Sequence, residues 1–254
     1  MCLQPMPVSA RHTDSSPSID STAHVLAHRE WRIGPFTTEV GLFDSLQLNV
    51  VHAIYLAGIR NIGLKVELPS WGPVDFALSG AVFASNTKDY SDDNPDIPIR
   101  LLKGGFHASW RTGRSTYGLN ALVTQFSAEG ESSEDVELGG AAFGRASVAS
   151  LFYEWRWGRT TAFTLEGFST IAQSASGEFD TRSRISDRLT FRLYGQANAS
   201  SDETYRAVRA LVHWSFDSFN LRTGLQTGHF LVPVVDIFVP GKVTLPYLDL
   251  FWRF

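Results

Sequence analysis

The 254-residue chain carries 22 Lys and Arg against 26 Asp and Glu, a formal net charge of -4, and 13% of its residues are aromatic, with 18 Phe and 7 Trp. This balance leaves no basic face for nucleic acid, and the single cysteine, Cys2, excludes an internal disulfide framework or a cysteine-rich metal site. No run approaches the roughly 18 apolar residues of a transmembrane helix; the longest, Leu231 to Val239, is interrupted by Pro233 and Asp236.

Residues 1–27 mix Pro, Ser, Thr, His and Asp and hold neither the basic start nor the apolar core of an export signal. The expectation is a disordered segment with the start codon misassigned. From His28 onward the text changes to runs in which apolar and polar residues alternate, bounded by turn residues, and residues 28–254 are read as one transmembrane β-barrel.

In chain order, Phe76, Leu78, Gly80 and Val82 alternate with Asp75, Ala77, Ser79 and Ala81. Tyr117, Leu119, Ala121 and Val123 alternate with Gly118, Asn120, Leu122 and Thr124. The pattern returns at Ala149 to Trp157, Leu189 to Ala199 and Val208 to Phe216, and ends with Leu248, Leu250, Trp252 and Phe254 against Tyr247, Asp249, Phe251 and Arg253. A strand sends successive side chains to opposite faces. One face is therefore apolar, and the other mixes small residues with single charges. A soluble sandwich would show a more highly charged outer face. In a membrane barrel the apolar face meets lipid and the mixed face lines a narrow interior.

Connections fall into two sets. Tight ones are expected at Asp44-Ser45, Ser70 to Pro73, Gly113-Arg114, Gly158-Arg159 and Asp217-Ser218. Long acidic ones are expected at Asn86 to Pro98, Ala128 to Gly140 and Ser174 to Thr181. One hairpin phrase recurs at Gly41–Leu48, Arg184–Phe191 and Trp214–Leu221, each turning at an Asp, whose carboxylate accepts from backbone N–H groups just ahead. Short turns at one end and long loops at the other are the outer-membrane pattern. The expected fold is all-β, a transmembrane antiparallel up-and-down barrel of about 12 strands, with 14 as the alternative. An even count needs an added first strand, from a fold-back at Gly34-Pro35 or from sequence upstream.

The ending Tyr247-Leu-Asp-Leu-Phe-Trp-Arg-Phe254 resembles the C-terminal signature of bacterial outer-membrane β-barrel proteins, which finish on an aromatic with hydrophobic residues at alternate positions before it. The resemblance implies that Leu250, Trp252 and Phe254 are an assembly signal read by the barrel-assembly machinery. It also implies a bacterial outer-membrane location with lipid and lipopolysaccharide as surroundings. It names no functional subgroup and implies no cofactor.

Candidate chemistry is sparse. Outer-membrane phospholipase uses a His-Ser pair with Asn nearby; here His107 and Ser109 share an inward face, but no Asn or acidic orienter is placed beside them by sequence. Lumen lining is the expected role, and no catalytic residue is assigned. The seven histidines are scattered without ligand spacing, and no metal site is expected. The informative set is the inward-facing charges Lys65, Glu67, Asp75, Lys103, Arg111, Glu154, Arg156, Glu166, Arg192, Arg209, Arg222, Asp249 and Arg253. Paired, they close the lumen; lining water, their excess of arginine favours anions. The sequence therefore points to a narrow passive channel for small solutes. The alternatives are a structural or surface-interaction barrel with a filled lumen, an enzyme acting on lipids, which is the weakest, and a soluble β-protein.

Overall fold

In the computed structural model, the described residues are 21–86, 98–132, 136–186, 189–201, 204–232 and 237–254; side chains at 56–57, 129–141, 177–201 and 230–240 lie outside the description. The strands are β1 (Trp31–Ile33), β2 (Thr38–Phe43), β3 (Leu46–Val50), β4 (Arg60–Trp71), β5 (Val74–Asn86), β6 (Pro98–Thr112), β7 (Ser115–Ser132), β8 (Val136–Arg156), β9 (Thr161–Ser186), β10 (Leu189–Ser201), β11 (Arg206–Phe216), β12 (Phe219–Val232) and β13 (Ile237–Arg253), with a 3-10 helix at His52–Ala57.

They form a closed, antiparallel 12-strand barrel. The count reconciles with thirteen segments because β10 and β11 share one partner. Strand β9 pairs with β10 from Gln173 to Ser186 and with β11 from Thr161 to Ser169, so the two segments make one interrupted leg. Closure is made by β1 against β13, where Trp31 and Phe254 exchange both backbone hydrogen bonds at 3.0 and 2.9 Å. The added first strand comes from the fold-back at Gly34-Pro35, closed by the Gly34 N–H on the Thr37 carbonyl at 2.8 Å.

The tight turns lie at one end of the barrel. Gly72 and Gly113 take φ of 61° and 57°, and Asp217 takes 47°. Two-residue hairpins need this left-handed backbone, and Gly and Asp tolerate it.

Two of the expected acidic loops are corrected. Strands β7 and β8 remain paired to Ser132 and Leu138, and β9 runs unbroken through Ser174 to Thr181. The phrase at Arg184–Phe191 falls between β9 and β10, at the end opposite the tight turns, and its Asp187 and Arg188 lie outside the description. Spanning a bilayer takes roughly 9–11 tilted residues, and β9 has 26. It is more than twice as long as a span requires, and apolar alternation in its sequence fades toward its distal end. Leu193, in the alternating run Leu189 to Ala199, pairs with Thr181 in this distal part. The residues 87–97 of the third acidic stretch lie outside the description.

The barrel is inside out. Outward side chains are apolar and exposed: Ile62 54%, Leu78 48%, Leu151 63%, Leu165 52%, Leu225 56% and Leu248 63%. Inward ones are polar and buried, including Lys65, His107, Ser109, Asn120, Glu154, Arg156 and Glu166. Aromatic rings gather at the tight-turn end in three groups: Trp110–Tyr117–Tyr153, Trp155–Trp157–Phe163 and Phe216–Phe219–Trp252. All 7 tryptophans, the others being Trp31, Trp71 and Trp214, sit next to that end.

Candidate functional site: a strapped, polar lumen

The stretch expected to be disordered is described from Ser21, and Ser21–Ala27 lies inside the barrel, across its tight-turn end; residues 1–20 lie outside the description. Wall side chains hold this strap by its backbone. The Leu26 N–H donates to Gln47 Oε1 at 3.0 Å, the Val25 N–H to Glu67 Oε2 at 3.4 Å and the Ala23 N–H to Ser109 Oγ at 3.1 Å. Lys65 Nζ donates to the Thr22 carbonyl at 2.7 Å, and Ser21 Oγ donates to Glu166 Oε1 at 2.9 Å. These holders come from β3, β4, β6 and β9, so the strap spans the floor from one wall to the other. Leu26 and Ala23 are fully buried. Gly41 on β2 makes the passage possible: a Cβ there would stand 2.0 Å from the Ala27 carbonyl oxygen.

Beyond the strap is a cavity of about 360 Å³. Of the inward charges read from sequence, Lys65, Lys103, Glu154, Glu166, Arg209 and Arg222 line it. Glu67 and Asp75 face the strap, 3.8 and 3.6 Å from the His24 imidazole. Arg156 Nε pairs with Glu154 at 3.0 Å, both 3% exposed. Asp249 takes Arg222 and, at 3.4 Å, Arg32, whose guanidinium stacks 3.9 Å over Phe251. Arg253 pairs with Glu30 at 2.5 Å. Arg209 bridges Glu166 at 3.6 Å and Gln226 at 3.2 Å. Arg111 is half-buried at the turn end of β6, and the Arg192 side chain lies outside the description. Trp252 and Phe254 face outward, 39% and 49% exposed, with Leu250 half-buried beside them.

A charge-based reading misses Glu30, Arg32 and Glu39, and it misses the neutral polar residues altogether. Ser79, Asn120 and Ser150 share the inward face with His107 and join it in one hydrogen-bonded chain. Sequence alone places no orienter beside His107; in the fold, Asn120 is its register partner on β7. Alternation puts Ser79 and Asn120 on polar faces, but only the shared register of β5, β6 and β7 brings them to His107. Ser109, the serine nearest in sequence, is engaged by the strap instead.

A closed antiparallel barrel with lipid-compatible walls, an aromatic girdle and a polar interior has the architecture of membrane-spanning barrels. No family model and no curated protein matches the chain. Among solved structures it is similar in barrel architecture to a TodX monoaromatic hydrocarbon channel mutant, with TM-score 0.44 and 9% identity over 90% of this chain and 67% of that one. It is also similar to the ferric yersiniabactin uptake receptor FyuA from Yersinia pestis, with TM-score 0.39 and 12% identity over 88% and 43% of the two chains. CdiB from Escherichia coli gives TM-score 0.33 and 8% identity over 89% and 62%.

Proposed function

We propose that the protein is an integral barrel of the bacterial outer membrane whose lumen is a narrow passage for small hydrophilic solutes, closed at the tight-turn end by its own Ser21–Ala27 strap. The observation that carries this reading is how the strap is held. Its principal anchors are single hydrogen bonds to Gln47, Glu67, Lys65 and Ser109. Each such bond contributes about 0.5–1.5 kcal/mol net, or about 1.5–3 where the partner is charged. A strap held this way can be displaced without unfolding the wall. The inside-out distribution of apolar and polar residues supports the membrane setting. The outward Leu250, Trp252 and Phe254 are offered as the assembly signal for the barrel-assembly machinery, and the exposed apolar belt as the surface that meets lipid and lipopolysaccharide.

Planar-bilayer recording tests the proposal. The wild-type chain should give small, brief conductance steps. The Gln47→Ala, Glu67→Ala double variant, which removes the acceptors for Leu26 and Val25, should give larger and longer ones. A silent bilayer for both proteins would replace this reading with that of a filled structural barrel.

A further inference from the structure

We propose that Ser79, His107 and Asn120 form a nucleophile relay in the lumen, able to hydrolyse small carboxylic esters; this stands independently of the channel reading. Ser79 Oγ lies 2.8 Å from His107 Nε2, and His107 Nδ1 lies 2.8 Å from Asn120 Oδ1. A serine becomes nucleophilic when a base within hydrogen-bond reach takes its proton and a third group orients that base. Both distances satisfy the requirement.

The direction of the protons follows from the far end of the chain. Glu166, as a carboxylate, can only accept. Ser150 Oγ therefore donates to Glu166 Oε1, at 3.3 Å, and keeps its lone pairs for the Asn120 Nδ2 donor at 2.9 Å. With its amide nitrogen so committed, Asn120 turns Oδ1 toward His107. His107 Nδ1 must then carry the ring proton, and Nε2 presents its lone pair to the Ser79 hydroxyl. Arg209 at 3.6 Å and the Ser21 hydroxyl at 2.9 Å support the carboxylate that sets this order.

The surroundings fit the chemistry. His107, Asn120, Ser150 and Glu166 are buried, whereas Ser79 is only half-buried, and all five line the cavity of about 360 Å³. Gly105, the register partner of Ser79 on β6, leaves the room they need, because a Cβ there would stand 2.5 Å from Ser79 Oγ and 3.1 Å from His107 Nε2. On the other side the register partner of Ser79 is Lys65, whose ammonium already donates to one carbonyl oxygen, that of Thr22. Lys65 lines the same cavity as Ser79, so the wall that carries the serine also carries a cation.

In the reaction, Ser79 Oγ bonds to the ester carbonyl carbon and passes its proton to His107 Nε2. The bond from carbon to the leaving oxygen then breaks, and His107 returns the proton to that oxygen, leaving an acyl-Ser79 and a free alcohol. Water attacks the acyl carbon, again giving a proton to His107, and the acid leaves as Ser79 recovers its hydrogen. Ser79 and His107 are the catalytic residues; Asn120, Ser150 and Glu166 position them.

The test is phosphonylation of the full chain, folded in lipid vesicles, by an alkyl fluorophosphonate, with the labelled serine located by peptide mass and p-nitrophenyl acetate hydrolysis followed in parallel. Heat-modifiable gel migration shows that each variant is folded. Label should appear on Ser79 and vanish in Ser79→Ala, and His107→Gln should slow labelling and hydrolysis about 100-fold or more. Asn120→Ala should slow both, and Asn120→Asp, which restores an acceptor for Nδ1, should recover much of the loss. An unlabelled Ser79 in the folded wild-type barrel, label on Ser109 instead, or equal rates in wild type and His107→Gln would overturn the proposal.

Discussion

Trp31 and Phe254 form the seam of the barrel: the first residue of β1 and the last residue of the chain exchange a pair of backbone hydrogen bonds. The contact between β1 and β13 is otherwise small, with only Arg32–Arg253 and Ile33–Trp252 in register. The Phe254 ring, 49% exposed, therefore adds apolar anchoring just where the ladder is thinnest. Phe254→Asp should reduce the heat-modifiable, membrane-inserted fraction several-fold in cells, and Phe254→Tyr should leave it near wild type. Equal insertion of both variants would show that the terminal aromatic does not act as an assembly signal.

The lipid face can be tested along one strand. Leu151 on β8 is 63% exposed, pairs with Leu119 and lies on the outward face between the girdle residue Tyr153 and Phe143. Phe143, on the same strand and 41% exposed, lies well toward the loop end. An outward Arg costs about 2–4 kcal/mol at the bilayer midplane and about 0–1 near the interface. Urea unfolding in lipid vesicles should therefore show Leu151→Arg to be the more damaging change by about 2 kcal/mol. Equal costs would place β8 at a different depth.

Inside the wall, Glu154 and Arg156 are paired and almost fully buried. Breaking a buried ion pair by removing one partner typically costs about 3–5 kcal/mol. Glu154→Ala should lower the urea midpoint by a corresponding amount, and a Glu154→Leu, Arg156→Leu double variant should recover most of it. A single variant as stable as wild type would mean that water reaches Arg156.

The strap makes a separate prediction through Gly41. A side chain there meets the Ala27 carbonyl at 2.0 Å, so backbone must move. Gly41→Val should leave the barrel folded by gel migration but open its floor, raising bilayer conductance above that of the wild type. Unchanged conductance with an intact barrel would show that the strap does not control passage.

Legibility in the sequence followed the solvent. Where strands cross lipid, the two faces meet opposite environments, and alternation at Leu248–Phe254 or Val208–Phe216 marks register residue by residue. Where β7, β8 and β9 run on past the length a span requires, alternation is lost, and Ser174 to Thr181 reads as loop although the ladder continues. The strap has no periodicity because it belongs to no ladder; its order comes from distant partners such as Gln47 and Lys65. The lumen charges were legible as isolated charges on a small-residue face. The Ser79–His107–Asn120 chain was not, because it depends on which rungs β5, β6 and β7 share.

The central claim is that the barrel stands in a bilayer with its apolar face outward and its aromatic girdle at one interface. Quenching of intrinsic tryptophan fluorescence by lipids brominated at defined acyl-chain depths measures this directly, because all 7 tryptophans lie next to the tight-turn end and girdle aromatics sit at the membrane–water interface. The account predicts strong quenching by bromines near the headgroup and weak quenching by bromines near the bilayer centre. Absence of quenching at every depth, or a maximum at the bilayer centre, would contradict it.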